Sequence, residues 1–407
     1  MPVSTSDIDI TESYPTIRPS LNLNFARSRA LDPRISFERS HTNVVAATYI
    51  GRDGQVKRAG VNEPRFEHDY DTGESLGLLI EESRTNFCGD AIPSTADWST
   101  LNNSSIISTT ALAPDGTNTA FRYQGSATAP ASLLRIGLPA FTTGTDTYTI
   151  SFYVKQVVAN TQTGQNLICD LQDGGPSVNY SSQLVQDKWV RVVQTGTTTS
   201  GNKTFFDMVS NTLNDGTYDF WGLQIEQGSF ATSLILTTDS TAGTRGADNA
   251  EVLYDGWYDN NSSVKPSTFV GKFQTYNLTS TRIVAEGANS STFRDFSMNT
   301  MSNNDELQFV HRYTLSNSYD NSEGANITAN TPVTFAFSFD GTGGDITGSA
   351  NGTTPIVGTD DLGVIQSGGD RMRIGSRGNN TLYLNGTISE LKYYKFKASS
   401  AQLLLLQ

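Results

Sequence analysis

Alternation with a period of two, recurring in short runs between turn residues, constrains this chain more than any other feature. In Thr147 to Lys155, Ile150, Phe152 and Val154 fall on one side of an extended backbone and Thr149, Ser151 and Tyr153 on the other. Such a segment buries one face only against another sheet. Comparable runs lie at Ser105 to Thr109, Thr119 to Gln124, Ser132 to Ile136, Asn166 to Leu171, Trp189 to Gln194, Lys203 to Met208 and Tyr218 to Glu226. With the first run they make eight strands, the number that two four-stranded sheets require.

A second series begins after the polar, turn-rich stretch from Asp255 to Lys265. It runs through Phe269 to Gln274, Arg282 to Glu286, Thr292 to Ser297, Glu306 to Tyr313, Asn326 to Thr328, Val333 to Asp340, Asp345 to Ala350, Asp370 to Gly375, Thr381 to Leu384 and Gly386 to Phe396. There is no heptad of useful length and no tandem repeat. The fold class expected is all-β: two tandem jelly-roll β-sandwiches preceded by an irregular strand-and-loop region. The divisions expected are an arm and collar over 1–90, a first sandwich over 91–255 and a second over 256–407. A cut near residues 256–264 should then leave two folded pieces.

Composition supports the class and narrows the partners. Only 17% of residues are charged, against 16 Tyr and 20 Phe. A net charge of −13 argues against nucleic acid and against anionic membrane surfaces. The start carries no secretion-signal pattern and no apolar run is long enough to span a bilayer, so neither ordinary export nor a membrane location is expected. Cys88 and Cys169 have no metal-ligand spacing and read as free buried thiols. Residues 1–20 read as an extended arm.

Within residues 35–87 several words fall in order: Phe37-Glu38-Arg39-Ser40, Ala47-Thr48-Tyr49, Arg52-Asp53-Gly54-Gln55-Val56, Asn62-Glu63-Pro64-Arg65-Phe66 and Gly77-Leu78-Leu79-Ile80-Glu81-Glu82-Ser83-Arg84-Thr85-Asn86. Together they resemble a module that recurs in bacteriophage and prophage tail and other virion proteins. The stretch from Phe230 to Asp248, closing on Thr244-Arg245-Gly246-Ala247-Asp248, matches the same pattern. Thr147 to Lys155 and Phe220 to Gly228 resemble strands of carbohydrate-binding-module-like jelly rolls. Thr334 to Gly341, Arg373-Ile374-Gly375 and Asn385 to Tyr394 resemble the concanavalin A-like and laminin G-like family, where a short helix such as Ser399 to Leu405 closes the domain.

The resemblance implies a non-enzymatic virion component, a tail fibre or appendage that adheres to host-surface polysaccharide and is made in the host cytoplasm. The alternatives are a capsid-decoration or tail-accessory protein that binds only other virion proteins, and a polysaccharide-degrading tail enzyme. No Glu-x-Asp-x-x-Glu carboxylate pattern, catalytic triad or phosphate loop is present, so no catalytic residue is assigned. Sugar stacking needs aromatic faces, for which Trp98, Trp257, Tyr258 and Tyr313 are the candidates, while Trp189 and Trp221 read as core. No cofactor is expected. Asp340 and Asp345 could offer oxygens to calcium, although their spacing equally spells a hairpin. Arg39, Arg52, Arg58, Arg65 and Arg84 lie among Glu38, Glu63, Glu67, Glu81 and Glu82 and read as ion pairs. Arg39, Arg65, Arg84 and Glu81 are the expected attachment residues of a homo-oligomer, a trimer by resemblance to phage fibres, with the ion pairs of Arg39 and Arg65 buried between chains.

Overall fold

The computed structural model describes residues 17–407 except 40–44, 101–103, 129–131, 163–166, 172–176, 239, 259–265, 289–293, 302–304, 313–318, 340–345 and 359–368. The chain folds into two antiparallel β-sandwiches. In the first, one five-stranded sheet runs in the order Trp189–Thr197, Thr147–Val158, Asn214–Gln227, Phe121–Ser126, Ser105–Ser108. Its partner sheet, also five-stranded, runs Ser177–Asn179, Ile168–Leu171, Gly201–Thr212, Ser132–Thr143, Trp98–Thr100. The alternation read from sequence places Ile150, Phe152 and Val154 between the sheets, packed with Phe206, Phe220 and Tyr180. Cys88 and Cys169 are separate free thiols in this core, and burial pushes the Cys88 thiol up.

The second sandwich draws on strands from both ends of the chain. Its eight-stranded sheet runs Ile356–Gly358, Ile346–Ala350, Val333–Phe339, Ser267–Thr275, Gly386–Tyr394, Ser75–Ile80, Phe66–His68, with Leu21–Asn24 also paired to Gly386–Tyr394. Two of its three N-terminal strands share the edge of Gly386–Tyr394: Leu21 to Asn24 lie beside Tyr393 to Glu390, and Leu78 to Ile80 beside Ile388 to Gly386. The facing seven-stranded sheet runs Ile35–Glu38, Asn249–Leu253, Arg371–Ile374, Arg282–Ala288, Arg294–Thr300, Glu306–Arg312, Tyr319–Asn326. Leu21, Leu23, Phe25, Leu78, Ile80, Ala250 and Val252 thus join the core of Phe269, Phe309, Phe335 and Phe337. This pairing differs from the division expected from sequence: residues 1–90 do not form a separate collar, and Asn249–Leu253 belongs with the second sandwich. Each N-terminal strand carries an apolar face too small to bury alone, and the open edge beside Gly386–Tyr394 accepts it.

What is left of a collar is a three-stranded sheet of Leu236–Thr237, Val45–Ile50 and Val56–Ala59. Its hairpin turns at Asp53-Gly54 as the sequence suggests, with Gly54 at φ +71°. Asp71-Thr72-Gly73 makes the second expected turn, between Phe66–His68 and Ser75–Ile80, where Asp69 accepts the N–H groups of Asp71 and Thr72 at 3.1 and 2.8 Å. Gly77 is required where it stands, because its φ is +100° and a Cβ there would lie 2.1 Å from the Ile388 carbonyl oxygen. Thr381 to Leu384, expected as a strand, is irregular; Asn380, Leu382 and Asn385 all take left-handed backbone conformations there. The closing helix, Ser400–Leu406, is present with Ser399 and Gln402 in a capping box, and it seats Leu403 and Leu406 on the outer face of the eight-stranded sheet.

Candidate functional site

Between the two sandwiches lies a buried charge cluster. Arg39, Arg65, Arg245, Glu81 and Asp248 are each fully buried. Asp248 accepts from Arg39 Nη1 at 2.9 Å, from Arg65 Nη2 at 2.5 Å and from the Glu81 backbone N–H at 2.9 Å. Glu81 meets Arg65 at 2.8 Å and Arg245 at 3.4 Å, and accepts the backbone N–H and hydroxyl of Ser233, both at 2.7 Å. Further Nη donors go to backbone carbonyls, Arg39 to Gly60 and Glu63, Arg65 to Thr48 and Arg245 to Glu82, while the Nε groups of all three arginines are buried without a hydrogen-bond partner. Burial alone would raise the Glu81 carboxyl, but the Arg245 and Arg65 charges and the Ser233 bonds outweigh it and hold Glu81 near 2. The ion-pair reading of Arg39 and Arg65 is therefore right in kind and corrected in place. Their partners come from the same chain, up to 209 residues away, so neither side chain is offered to a neighbouring subunit. Arg84 is also committed within the chain, to Glu82 at 2.7 Å and over the Phe230 ring at 4.7 Å.

A cleft of about 630 Å³ opens beside this cluster, where the outer face of the first sandwich meets the N-terminal segment and the edge of the second sandwich. Aromatic rings line three sides: Tyr153 and Trp189 from the first sandwich, Tyr49 and Tyr70 from the N-terminal segment, Tyr276 from the second. Trp189 is partly exposed, its indole N–H donating to the Leu112 carbonyl at 3.0 Å and Lys155 Nζ standing 5.2 Å from its ring. Arg191 donates to the Ser151 hydroxyl at 3.0 Å and to the Thr232 carbonyl at 2.8 Å, which fixes its guanidinium beside Tyr153. Burial, then the neighbouring Tyr153 and Asp71, raise the Tyr70 hydroxyl to about 12, and burial also raises that of Tyr276. Both phenols are neutral donors at physiological pH. Lys188 and Asp71 meet at 2.6 Å across the opening.

Glu67 forms part of the cleft floor. Its Oε1 accepts the Ile50 N–H at 2.6 Å and the His68 N–H at 3.2 Å, and burial raises its carboxyl from 4.5 to about 8. The folded value lies above the unfolded one, so the folded chain keeps a proton that the unfolded chain has released. The stability this contributes is full below about pH 4.5 and is lost as pH rises to about 8. Glu67→Gln keeps the accepting oxygen and removes the ionisation. Urea denaturation should find the variant more stable than the parent at pH 8 by roughly 4 kcal/mol, and nearly equal to it at pH 4.5; equal stability at both pH values would contradict a buried neutral carboxyl.

The aromatic residues singled out from sequence lie elsewhere. Trp98 is core, its ring 4.9 Å from Phe121, and Trp257 and Tyr258 are 1% and 3% exposed beneath the second sandwich, packed on Tyr254 and Tyr393. None of the three presents a face to a ligand, because their strands and turns point them between sheets. Tyr313, Asp340 and Asp345 lie outside the described residues. Trp221 is core as expected, but Trp189 is not. The signal for Trp189 was in its own strand: it shares parity with Arg191, Val193 and Thr195, opposite the buried Val192 and Gln194. Among the described residues no group of three or more His, Cys, Asp or Glu is placed to hold a metal ion.

No family model and no curated protein matches the chain. Among solved structures it is similar to the Ruminococcus gnavus IT-sialidase CBM40 bound to α2,3 sialyllactose, at 17% identity over 35% of this chain and 82% of that one, with a TM-score of 0.30. It is also similar to domain 4 of AbnA, an arabinanase from Geobacillus stearothermophilus in complex with arabinotriose, at 15% identity over 40% of this chain and 73% of that one, TM-score 0.30. The CBM22-1-CBM22-2 tandem of Paenibacillus barcinonensis Xyn10C is matched at 10% identity over 78% and 97%, with a TM-score of 0.25. Likenesses this loose carry no functional weight; the β-sandwich class rests on the strand pairing described above.

Proposed function

We propose that the protein binds carbohydrate without transforming it, and that the inter-sandwich cleft is the binding site. The observation that carries this reading is the set of aromatic rings around a polar floor: partly exposed Trp189, Tyr49, Tyr70 and Tyr276 offer stacking faces, and the pinned Arg191 offers a fixed donor. The cleft volume, about 630 Å³, suits a short run of sugar rings. The words in residues 35–87 and 230–248 that resemble phage virion proteins support the finer reading of a virion appendage that holds host-surface polysaccharide and contacts other virion proteins. Self-association, a trimer by that resemblance, then uses surfaces other than the buried Arg39 and Arg65.

One observation favours a second reading, glycoside hydrolysis: a neutral carboxyl, Glu67, and an ionised one, Glu81, both line the cleft. Their hydrogen bonds favour binding instead. Glu67 accepts two backbone N–H groups, and the oxygens of Glu81 are taken up by Arg65, Arg245 and Ser233, so neither carboxyl is free to act as nucleophile or base on a sugar. A glycan array on the full-length protein should find polysaccharide ligands, and Trp189→Ala should weaken them about tenfold or more, since an aromatic platform is worth roughly 1–2 kcal/mol. Unchanged binding in a folded Trp189→Ala variant would place the site elsewhere. Release of reducing sugar that Glu67→Gln abolishes would establish the hydrolase instead.

A further inference from the structure

Tyr49 and His68 are shared by the cleft and by a second cavity of about 680 Å³. Three separate segments supply that cavity with positive charge. Arg29 comes from the end of the short helix Phe25–Ser28, in left-handed backbone conformation at φ 48°. Arg52 comes from the hairpin turn and Lys57 from the strand after it. Among the described residues Asp53 is the only acidic one in the lining, and it is spent on Lys57 at 2.7 Å. The Arg29 and Arg52 guanidinium groups have no ion-pair partner among the described residues. In a chain of net charge −13 this concentration of cations is a local reversal of sign.

His68 adds a second, independent observation. Its ring is 6% exposed, and Nδ1 lies 3.0 Å from the Ile50 carbonyl oxygen, so Nδ1 carries the proton. The other ring nitrogen, Nε2, is buried without a hydrogen-bond partner. A buried polar nitrogen with no partner is costly, and a ligand hydroxyl, which can donate or accept, would satisfy it. The ligand that meets both demands carries an anion for Arg29 and Arg52 and a hydroxyl for His68.

We propose that this cavity binds the carboxylate of an acidic sugar, carried on the same polysaccharide chain whose neighbouring residues occupy the cleft across Tyr49 and His68. The assignment rests on the glycan-binding reading of the cleft and adds to it the class of polysaccharide: one bearing carboxylates. Planar guanidinium forks match a carboxylate in two parallel hydrogen bonds, which a hydroxyl cannot reproduce.

Calorimetric titration of the full-length protein with a uronate oligosaccharide, its carboxyl-reduced neutral counterpart and a sulfated oligosaccharide tests this. The uronate should bind about tenfold or more tightly than the neutral sugar, and that preference should weaken with added salt. The double variant Arg29→Gln, Arg52→Gln replaces exposed side chains and should fold; in it, uronate affinity should fall to the neutral value, with neutral affinity unchanged. Trp189→Ala should weaken both. Equal uronate and neutral affinity in the parent, or a uronate preference that survives the double variant, would overturn the acidic-sugar site while leaving the cleft intact. Tighter binding of the sulfated sugar than of the uronate would overturn the carboxylate assignment. Absence of binding to all three would overturn the glycan reading itself and this inference with it.

Discussion

A chain cut down to residues 256–407 is expected to show no cooperative thermal transition. Those residues hold most strands of the second sandwich, yet without what precedes them both sheets lose members. The eight-stranded sheet loses Leu21–Asn24, Phe66–His68 and Ser75–Ile80, and the other loses Ile35–Glu38 and Asn249–Leu253. Leu21, Leu23, Phe25, Leu78, Ile80, Ala250 and Val252 leave the core with them. A buried Leu, Ile or Val side chain is worth roughly 1.5–3 kcal/mol, so the loss is on the order of 10 kcal/mol. That is comparable to the whole stability of an ordinary domain, about 5–15 kcal/mol. By the same pairing, a full-length chain nicked within residues 259–265 should run as one particle in size exclusion, because strands from both sides of the nick stay hydrogen-bonded. Two separable folded pieces, or a cooperative melt of the 256–407 fragment, would refute the interleaved architecture.

Asp248→Ala is expected to destabilise the protein by about 4 kcal/mol, the range found when one partner is removed from a buried charge network. The carboxylate is shared by Arg39 and Arg65 and also accepts the Glu81 N–H. Its loss leaves three buried guanidinium groups with Glu81 as the remaining carboxylate of the cluster, an uncompensated buried charge. Asp248→Asn keeps acceptor capacity without the charge and should cost less than the alanine. Arg34→Ala provides the contrast: its ion pair with Asp32 is solvent-exposed, and its loss should cost less than about 1 kcal/mol. Urea denaturation of the three variants decides; an Asp248→Ala variant within 1 kcal/mol of the parent would mean that the cluster does not hold the sandwiches together.

Several features follow from local sequence alone because local sterics produce them. Period-two alternation makes Thr147–Val158 a strand with Ile150, Phe152 and Val154 on its core face. Asp53-Gly54 turns the hairpin because glycine adopts φ +71° without cost. Ser399 and Gln402 start the last helix because each side chain satisfies the other's free backbone N–H. Even the pairing of Arg39, Arg65 and Arg84 with carboxylates is legible, since a buried guanidinium has few other options, whereas the exposed Arg52 of the same stretch has no ion pair among the described residues.

Pairing at long range is different in kind. Nothing near Ser75–Ile80 specifies that it will lie beside Gly386–Tyr394, three hundred residues on. That is decided by which sheet edge stands open when the rest has folded, and by whether Gly77 can approach Ile388 closely enough. Asp248 was visible as part of a recurring word but not as the partner of Arg39, because the bond joins segments that only the completed sheets bring together. The exposed aromatic residues were misplaced for a related reason. Strand parity says which side chains share a face, but not which face meets the core. Trp98, Trp257 and Tyr258 are as aromatic as Trp189, and only the packing of sheet on sheet buries the first three and leaves the fourth at the edge of a cleft.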